Sequence, residues 1–364
     1  MSGVWGNKLK LSIFGESHGK GIGVVISGLP AGVMIDFDEV RREMKRRAPG
    51  QDNISTPRVE GDNFEVLSGI LDDFTTGTPV CAIILNTNTI SKDYSEMKIK
   101  FRPGHADFTA SVKYNGFNDY RGGGHFSGRI TAPLVFAGAV AKQVIAFISP
   151  DVKIGAHILS IKNISDDSFD MSTLSPEVLT SLIGKPFPVL NNFQGKEMRS
   201  VIEKASSNKD SVGGVIECGI TGLKAGLGDP FFDSVESTLA HLLFSIPAVK
   251  GVEFGKGFEI TKMNGSETND EFYYENIANN ITSIKTYTNN NGGINGGITN
   301  GMPIIFKVAI KPTASIGIGQ KTVDSSTGSN CSIEVKGRHD PCIVHRAVPV
   351  VEAVAAIGLL DLML

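Results

Sequence analysis

Ile26-Ser27-Gly28-Leu29-Pro30-Ala31-Gly32 returns downstream as Ile220-Thr221-Gly222-Leu223-Lys224-Ala225-Gly226. Each copy is followed by Phe-Asp-x-Val (Phe37 to Val40; Phe232 to Val235) and by a helix pattern ending near a proline. Next, Gly77-Thr78-Pro79 and Gly301-Met302-Pro303 each open an alternating strand, Val80 to Leu85 and Ile304 to Ile310. Finally, Arg129-Ile130-Thr131-Ala132-Pro133 and Arg346-Ala347-Val348-Pro349 each open an apolar, alanine-rich helix. Proline suits a first helical turn because its amide would be unpaired there. Four matched signals in one order imply a duplication: two βαβ-type halves, about 1–150 and 151–364, related by a pseudo-two-fold axis. The expected class is α/β (α+β), one domain built as a β-α-β sandwich whose sheets are covered by helices.

Working outward, Lys8 to Phe14 and Ile22 to Leu29 read as strands around the polar loop Gly15-Glu16-Ser17-His18-Gly19-Lys20-Gly21. Asp36 offers an N-cap with Glu39 as capping-box partner, and Phe37, Val40 and Met44 form the buried face of that helix. Its end carries Arg41, Arg42, Lys45, Arg46 and Arg47; cations suit a helix C-terminus, so part of this cluster reads as structural. Asn163 to Ser211 has no counterpart in the first half and reads as a polar surface insertion with helices near Ser175–Ile183 and Lys196–Ser206. Thr288 to Gly301 reads equally as a mobile loop able to close over a ligand or as a tolerated surface loop.

An apolar fraction of 41% over 364 residues supports a large core. A net charge of −3 argues against a nucleic-acid or anionic-membrane surface. No apolar stretch combines membrane-spanning length with freedom from charge, and the N-terminus lacks a signal-peptide pattern. Cys81, Cys218, Cys331 and Cys342 are scattered without a C-x-x-C pair, as reduced thiols of a cytoplasmic protein would be.

Chemistry concentrates around Asp119-Tyr120-Arg121-Gly122-Gly123-Gly124-His125-Phe126-Ser127-Gly128-Arg129-Ile130-Thr131-Ala132. Three glycines strip every Cβ from the loop, and the helix after it offers N–H groups suited to phosphate. Arg121 and Arg129 add fixed cations on either side. A hinge before a core helix explains the same residues equally well. His18 lies on a glycine-rich turn, where histidine is rarely core. Gly15-Glu16-Ser17-His18-Gly19 matches the nucleophile elbow G-x-S-x-G, but a strand pattern comes after it instead of the required helix, so a serine hydrolase is only a minor alternative. His105 comes after the Pro103-Gly104 turn, with Asp107 two residues on, placed to orient the ring or to cap the next segment. Arg338-His339-Asp340-Pro341-Cys342 offers a cation and an acid or base. Lys311-Pro312-Thr313-Ala314-Ser315 suits a phosphate or is an ordinary strand-ending turn. No histidine pair has metal-ligand spacing, so no metal is expected.

Together, Gly15–Gly19, Arg102–Asp107, Arg121–Ala132, Lys311–Ser315 and Arg338–Ala353 resemble the chorismate synthase family, in order and over essentially the whole chain. That resemblance implies a lyase converting 5-enolpyruvylshikimate-3-phosphate to chorismate and phosphate by 1,4-anti elimination, using reduced FMN without net redox. It implies His18 as proton donor to the departing phosphate, His105 beside the flavin, and Asp340 in proton transfer. Flavin contacts would fall on His125, Phe126, Ser127, Pro247, Ala248, Gly296, Lys311, Pro312, Thr313, Ala314, Ser315 and Arg338. Arg47, Arg121, Arg129 and Arg346 would meet substrate or NADP, with NADPH as an indirect reductant supplied through a separate flavin reductase. The expected assembly is a homotetramer. His125, Phe126 and Ile130 depart from the family's common Arg, Ser and Glu, and Pro247 from a common Asn. Side-chain flavin contacts there are lost or changed while backbone contacts remain. A noncatalytic flavin- or phosphate-binding module is the alternative from another class.

Overall fold

The computed structural model describes residues 3–50, 54, 61–87, 96–277, 281–335 and 340–364. Two five-stranded antiparallel sheets enclose a layer of helices. The first sheet runs Val4–Trp5, Lys10–Gly15, Gly21–Ser27, Val80–Leu85, Phe64–Ser68. The second, taken from the matching edge, runs Ile164–Ser165, Lys153–Ile161, Gly214–Thr221, Ile304–Ile310, Val249–Phe254. The order of the four main strands is the same in both.

Each half is a split β-α-β unit. Gly21–Ser27 and Phe64–Ser68 point the same way, but Val80–Leu85 is inserted between them and pairs antiparallel with both. Ile304–Ile310 does the same between Gly214–Thr221 and Val249–Phe254. The crossover helices are Phe37–Arg47 and Val235–Ser245. The βαβ-type reading is thus realised without a parallel neighbour, because a hairpin return strand separates the two parallel ones.

The helices Thr131–Ile148 and Val344–Met363 are apolar on all sides because both faces are covered. They cross at Gly138, where a Cβ would lie 2.2 Å from that of Ala353. By length and composition Gly128–Ile148 could span a bilayer, but most of it is buried inside the sandwich. Charge enters this layer in a network around Glu352, and separately at Asp361, which accepts from the Asn7, Lys8 and Leu9 amides. Glu352 accepts from Arg46 at 2.7 and 2.9 Å, from Lys142 at 2.8 Å and from the Ala156 amide at 3.2 Å. Burial would raise its pKa, yet Arg46 and Lys142 hold it down at about 2. Arg46 therefore belongs to the structure.

Asp36 caps its helix by accepting from the Asp38 and Glu39 amides. Glu39 does not complete a capping box; its carboxylate pairs with Arg42. The insertion is less superficial than expected. Its helices, Pro176–Ile183 and Asn192–Ser207, bury Leu179, Leu182, Met198 and Ile202 completely. Pro176–Ile183 covers the outer face of the second sheet, where Leu179 fills the space above Gly155 and the preceding Leu174 that above Gly219, while Met198 and Ile202 join the main core. The Thr288–Gly301 run is pinned, not free. Asp270 accepts from Thr288, Asn290 and Asn291, and Asn289 donates to the Met171 and Pro303 carbonyls.

Candidate active site

Contacts between eight segments form a closed circuit at one end of the sandwich. It starts at the triple glycine, whose φ angles are +59°, +85° and +54°. A Cβ on Gly122 would come within 2.1 Å of the His18 ring, and one on Gly123 within 3.0 Å of the His105 ring. Only bare backbone lets both imidazoles lie against consecutive residues. The loop is stitched to the His18 turn by Ser17 N–H to Gly124 O at 3.1 Å and by a His125 Nδ1–Gly15 O bond at 2.9 Å.

Ser17 Oγ lies 2.9 Å from His18 Nδ1 and 3.1 Å from Gly122 O. The arrangement that satisfies all three atoms has the hydroxyl donating to the carbonyl and accepting from Nδ1–H. The turn then runs into the strand Gly21–Ser27, so the elbow geometry of a serine hydrolase is absent here. Asp119, two residues before Arg121 and near His18, is held below the usual carboxylate range by Arg121, with burial opposing.

His105 is fixed differently. Its Nδ1 sits 2.7 Å from Asp107 Oδ1 and 3.1 Å from Arg102 Nη2. Nδ1 cannot accept from Arg102 while donating to Asp107, and the shorter contact decides for a proton on Nδ1. Burial would raise the Asp107 pKa, but bonds from Arg102 and His105 hold it well below the usual range. Nε2 is left facing the Gly123 backbone.

Arg102 carries the circuit to the second half through Ser315 Oγ at 3.0 Å, and Lys311 Nζ donates to Gly104 O. Thr313 Oγ1 donates to Asp340 O at 2.8 Å. Asp340 pairs with Arg346 at 2.8 Å, and Arg346 Nε donates to the Arg47 carbonyl at 3.1 Å. Arg47 and Arg129 both pair with Asp62. Arg129 Nε reaches Asn86 Oδ1 at 3.1 Å, and Asn86 Nδ2 donates to the Glu16 and Gly19 carbonyls at 3.0 Å, closing the circuit at His18. Burial lowers the Arg47 pKa, Arg346 and Arg129 push the same way, and Asp62 opposes them.

Of the residues expected from sequence, this end brings together His18, His105, Asp340, Arg47, Arg129, Arg346 and Lys311–Ser315. Ala248 joins them, since its carbonyl accepts from the Lys311 amide, with Pro247 before it. His125, Phe126 and Ser127 lie in the glycine loop, whereas Arg121 is half-exposed and engaged with Asp119. Gly296 does not join them. Its hairpin, Ile294–Asn295 with Ile298–Thr299, is tied to Lys224, Leu227 and Val235 beside the Ile304 end of the strand whose other end leads to Lys311. Seven residues of strand, about 20 Å, separate the two. Arg338 and His339 lie outside the described residues. Asp62, Asn86, Arg102 and Ser17 were not assigned a binding role from sequence. Asp62 carried no motif, and only its neighbours in space reveal it.

Residues 9–364 match the family model described as chorismate synthase. A chorismate synthase of Dehalococcoides mccartyi is 46% identical over 371 aligned positions, covering 100% of this chain and 97% of the relative. One of Methanocaldococcus jannaschii is 44% identical, covering 99% and 96%. A crystal structure of chorismate synthase superposes with a TM-score of 0.76 at 28% identity, covering 99% of this chain and 92% of the other. The chain belongs to the chorismate synthase family.

Proposed function

We propose that this member of the family converts 5-enolpyruvylshikimate-3-phosphate to chorismate and inorganic phosphate by 1,4-anti elimination in the presence of reduced FMN. The observation that carries the reading is the closed circuit itself: two imidazoles against one glycine backbone, linked through Asn86 to a cluster of Arg129, Arg47 and Arg346. The substrate carries two carboxylates and a phosphate, and such a cluster offsets that charge before reaction.

The residues present fit the flavin mononucleotide. Lys311, Thr313 and Ser315 with the Ala248 segment supply a cation and hydroxyls for its phosphate, and the two imidazoles packed on the glycine loop supply ring nitrogens beside it. Bound reduced flavin supplies the transient electron density that eases departure of an allylic phosphate. His18 gives its proton to that phosphate as the C–O bond breaks, with Ser17 fixing the ring through Nδ1. His105, oriented by Asp107, holds its Nε2 towards the ring site. Asp340, paired with Arg346, takes part in moving the proton lost from C6 as the new double bond forms. The same reading carries NADPH as indirect reductant, a separate flavin reductase, a homotetramer and a cytoplasmic setting.

The test is anaerobic incubation of the protein with reduced FMN and the enolpyruvyl substrate, tracking phosphate and chorismate. Stoichiometric release of both is expected. Flavin binding without release of either would leave a binding module in place of the lyase.

A further inference from the structure

We propose that Asp62 is a positioning residue for the anion-binding wall: one carboxylate holds both Arg47 and Arg129 and, through them, sets the His18 turn. The inference rests on the elimination reading for its kinetic arm.

The Asp62 side chain is fully buried, and each of its oxygens takes a different guanidinium. Oδ2 accepts from Arg47 Nε at 2.9 Å and from its Nη2, while Oδ1 accepts from Arg129 Nη1. A planar fork anchored by two N–H groups cannot rotate about its stem as a lysine ammonium can. The backbone supports this posture, since Asp62 holds φ +46°, a left-handed conformation that aspartate tolerates better than most residues. Both arginines then lead elsewhere. Arg129 bonds Asn86, which grips the Glu16 and Gly19 carbonyls on either side of His18. Arg47 gives its carbonyl to Arg346, which holds Asp340. Asp62 also borders a cavity of about 330 Å³ together with Arg129, Asn86 and Ser17, so the Asp62–Arg129 pair faces ligand space with Arg47 buried behind it.

Removing this one negative charge has two separable consequences. The wall becomes more cationic, so it grips an anion more tightly. Its forks lose their common anchor, so the anion is held in a worse place for His18. A contact that only holds the fold would weaken both functions together.

The experiment compares the full-length protein with Asp62→Asn. Calorimetry with inorganic phosphate at low ionic strength reads the first consequence and needs no turnover. Phosphate binding tightened about five-fold is expected, the scale of one added unit charge at short range in partly screened surroundings. The rate of phosphate release from the enolpyruvyl substrate reads the second, with kcat expected at least ten-fold down at unchanged flavin affinity. Phosphate binding that is unchanged or weaker, or a smaller fall in kcat, overturns the assignment. A wild-type protein without turnover would instead sink the proposed reaction, and calorimetry alone would then decide on Asp62. Should Asp62→Asn fail to fold, Arg129→Lys replaces it. Keeping the charge but losing the fork should leave phosphate binding within two-fold and still lower kcat ten-fold; an undiminished kcat overturns the assignment.

Discussion

The two halves differ most at the same topological point, between their second and third strands. In the first half, five residues join Lys10–Gly15 to Gly21–Ser27, and the turn carries His18. In the second, the whole insertion separates Lys153–Ile161 from Gly214–Thr221, and His157 lies beneath it. Both histidines are buried, but the partners of their ring nitrogens differ. His157 is clamped between Asp166 at 3.1 Å and Glu217 at 3.0 Å, on a row of alternating charge that continues through Lys307 and Glu253 across the sheet. Burial would lower its pKa, yet bonds to Asp166 and Glu217 raise it. His18 has instead a neutral hydroxyl on Nδ1. Burial alone thus does not separate a working histidine from a structural one. A ring bonded to a carboxylate at each nitrogen is a tie within the fold, whereas the His18 ring is held through Nδ1 by a hydroxyl and packs on the glycine loop of the candidate site.

The strongest way to break this contrast is to remove both rings in turn. His18→Ala should lower turnover about 10²- to 10⁴-fold, the range for losing a general acid, while flavin affinity and melting temperature stay near wild type. His157→Gln should leave the turnover of folded protein unchanged. Rapid-quench phosphate release normalised to folded enzyme reads both. Wild-type rates in His18→Ala would end the assignment.

Stability should move the other way. His157→Gln leaves two buried carboxylates without their cation and should cost about 3–5 kcal/mol. Because the folded pKa of His157 is raised, its contribution is complete below the unfolded value near 6.5 and fades as pH rises through the folded value. Urea titrations from pH 6 to 9 should therefore show the gap between wild type and His157→Gln closing in alkali. A constant gap would mean the ring is not an imidazolium. Glu352→Gln, which leaves Arg46 and Lys142 to share Glu43, should also cost about 3 kcal/mol at neutral pH. There the sign reverses. With its folded pKa depressed to about 2, Glu352 contributes above the unfolded value and loses that contribution as pH falls through the folded one. The two gaps should close at opposite ends of the pH scale, as the same titrations carried into acid would show.

The duplicated Gly-Pro signals could be read from the chain because turns and helix starts are local events, and the shared strand order of the two sheets keeps to the same sequence of signals. The insertion's role as a cover could not, because Leu179 and Leu174 become core only once a sheet with Gly155 and Gly219 lies beneath them. Where the second sheet borrows that cover, the first covers itself: the Phe14 ring lies over Gly23, where a Cβ would come within 2.5 Å of it. Similarly, His18 and His105 stood out by their glycine-rich turns, whereas Asp62 and Asn86 have ordinary local sequences. Their importance comes from a pair of arginines brought from positions 47 and 129, and no local pattern encodes that meeting.

The smallest effect tests the loop between the two working rings. Gly123→Ala places a methyl group at φ +85°, which costs about 1 kcal/mol of backbone strain. The added carbon would stand 3.0 Å from His105 Cε1 and 3.2 Å from its Nε2, closer than ordinary contact, so the ring must yield by a few tenths of an ångström. Asp107 resists, since it holds Nδ1 at 2.7 Å, and the displacement falls on Nε2. The expected outcome is a melting temperature lowered by about 1–2 °C for a chain of this size, with a roughly ten-fold loss of kcat through misplacement. Gly122→Ala, with its Cβ 2.1 Å from the His18 ring, should be worse on both measures. If the alanine at 123 proved the more damaging, the backbone would be setting His105 more tightly than His18, and the order of the two imidazoles in this contrast would have to be reversed.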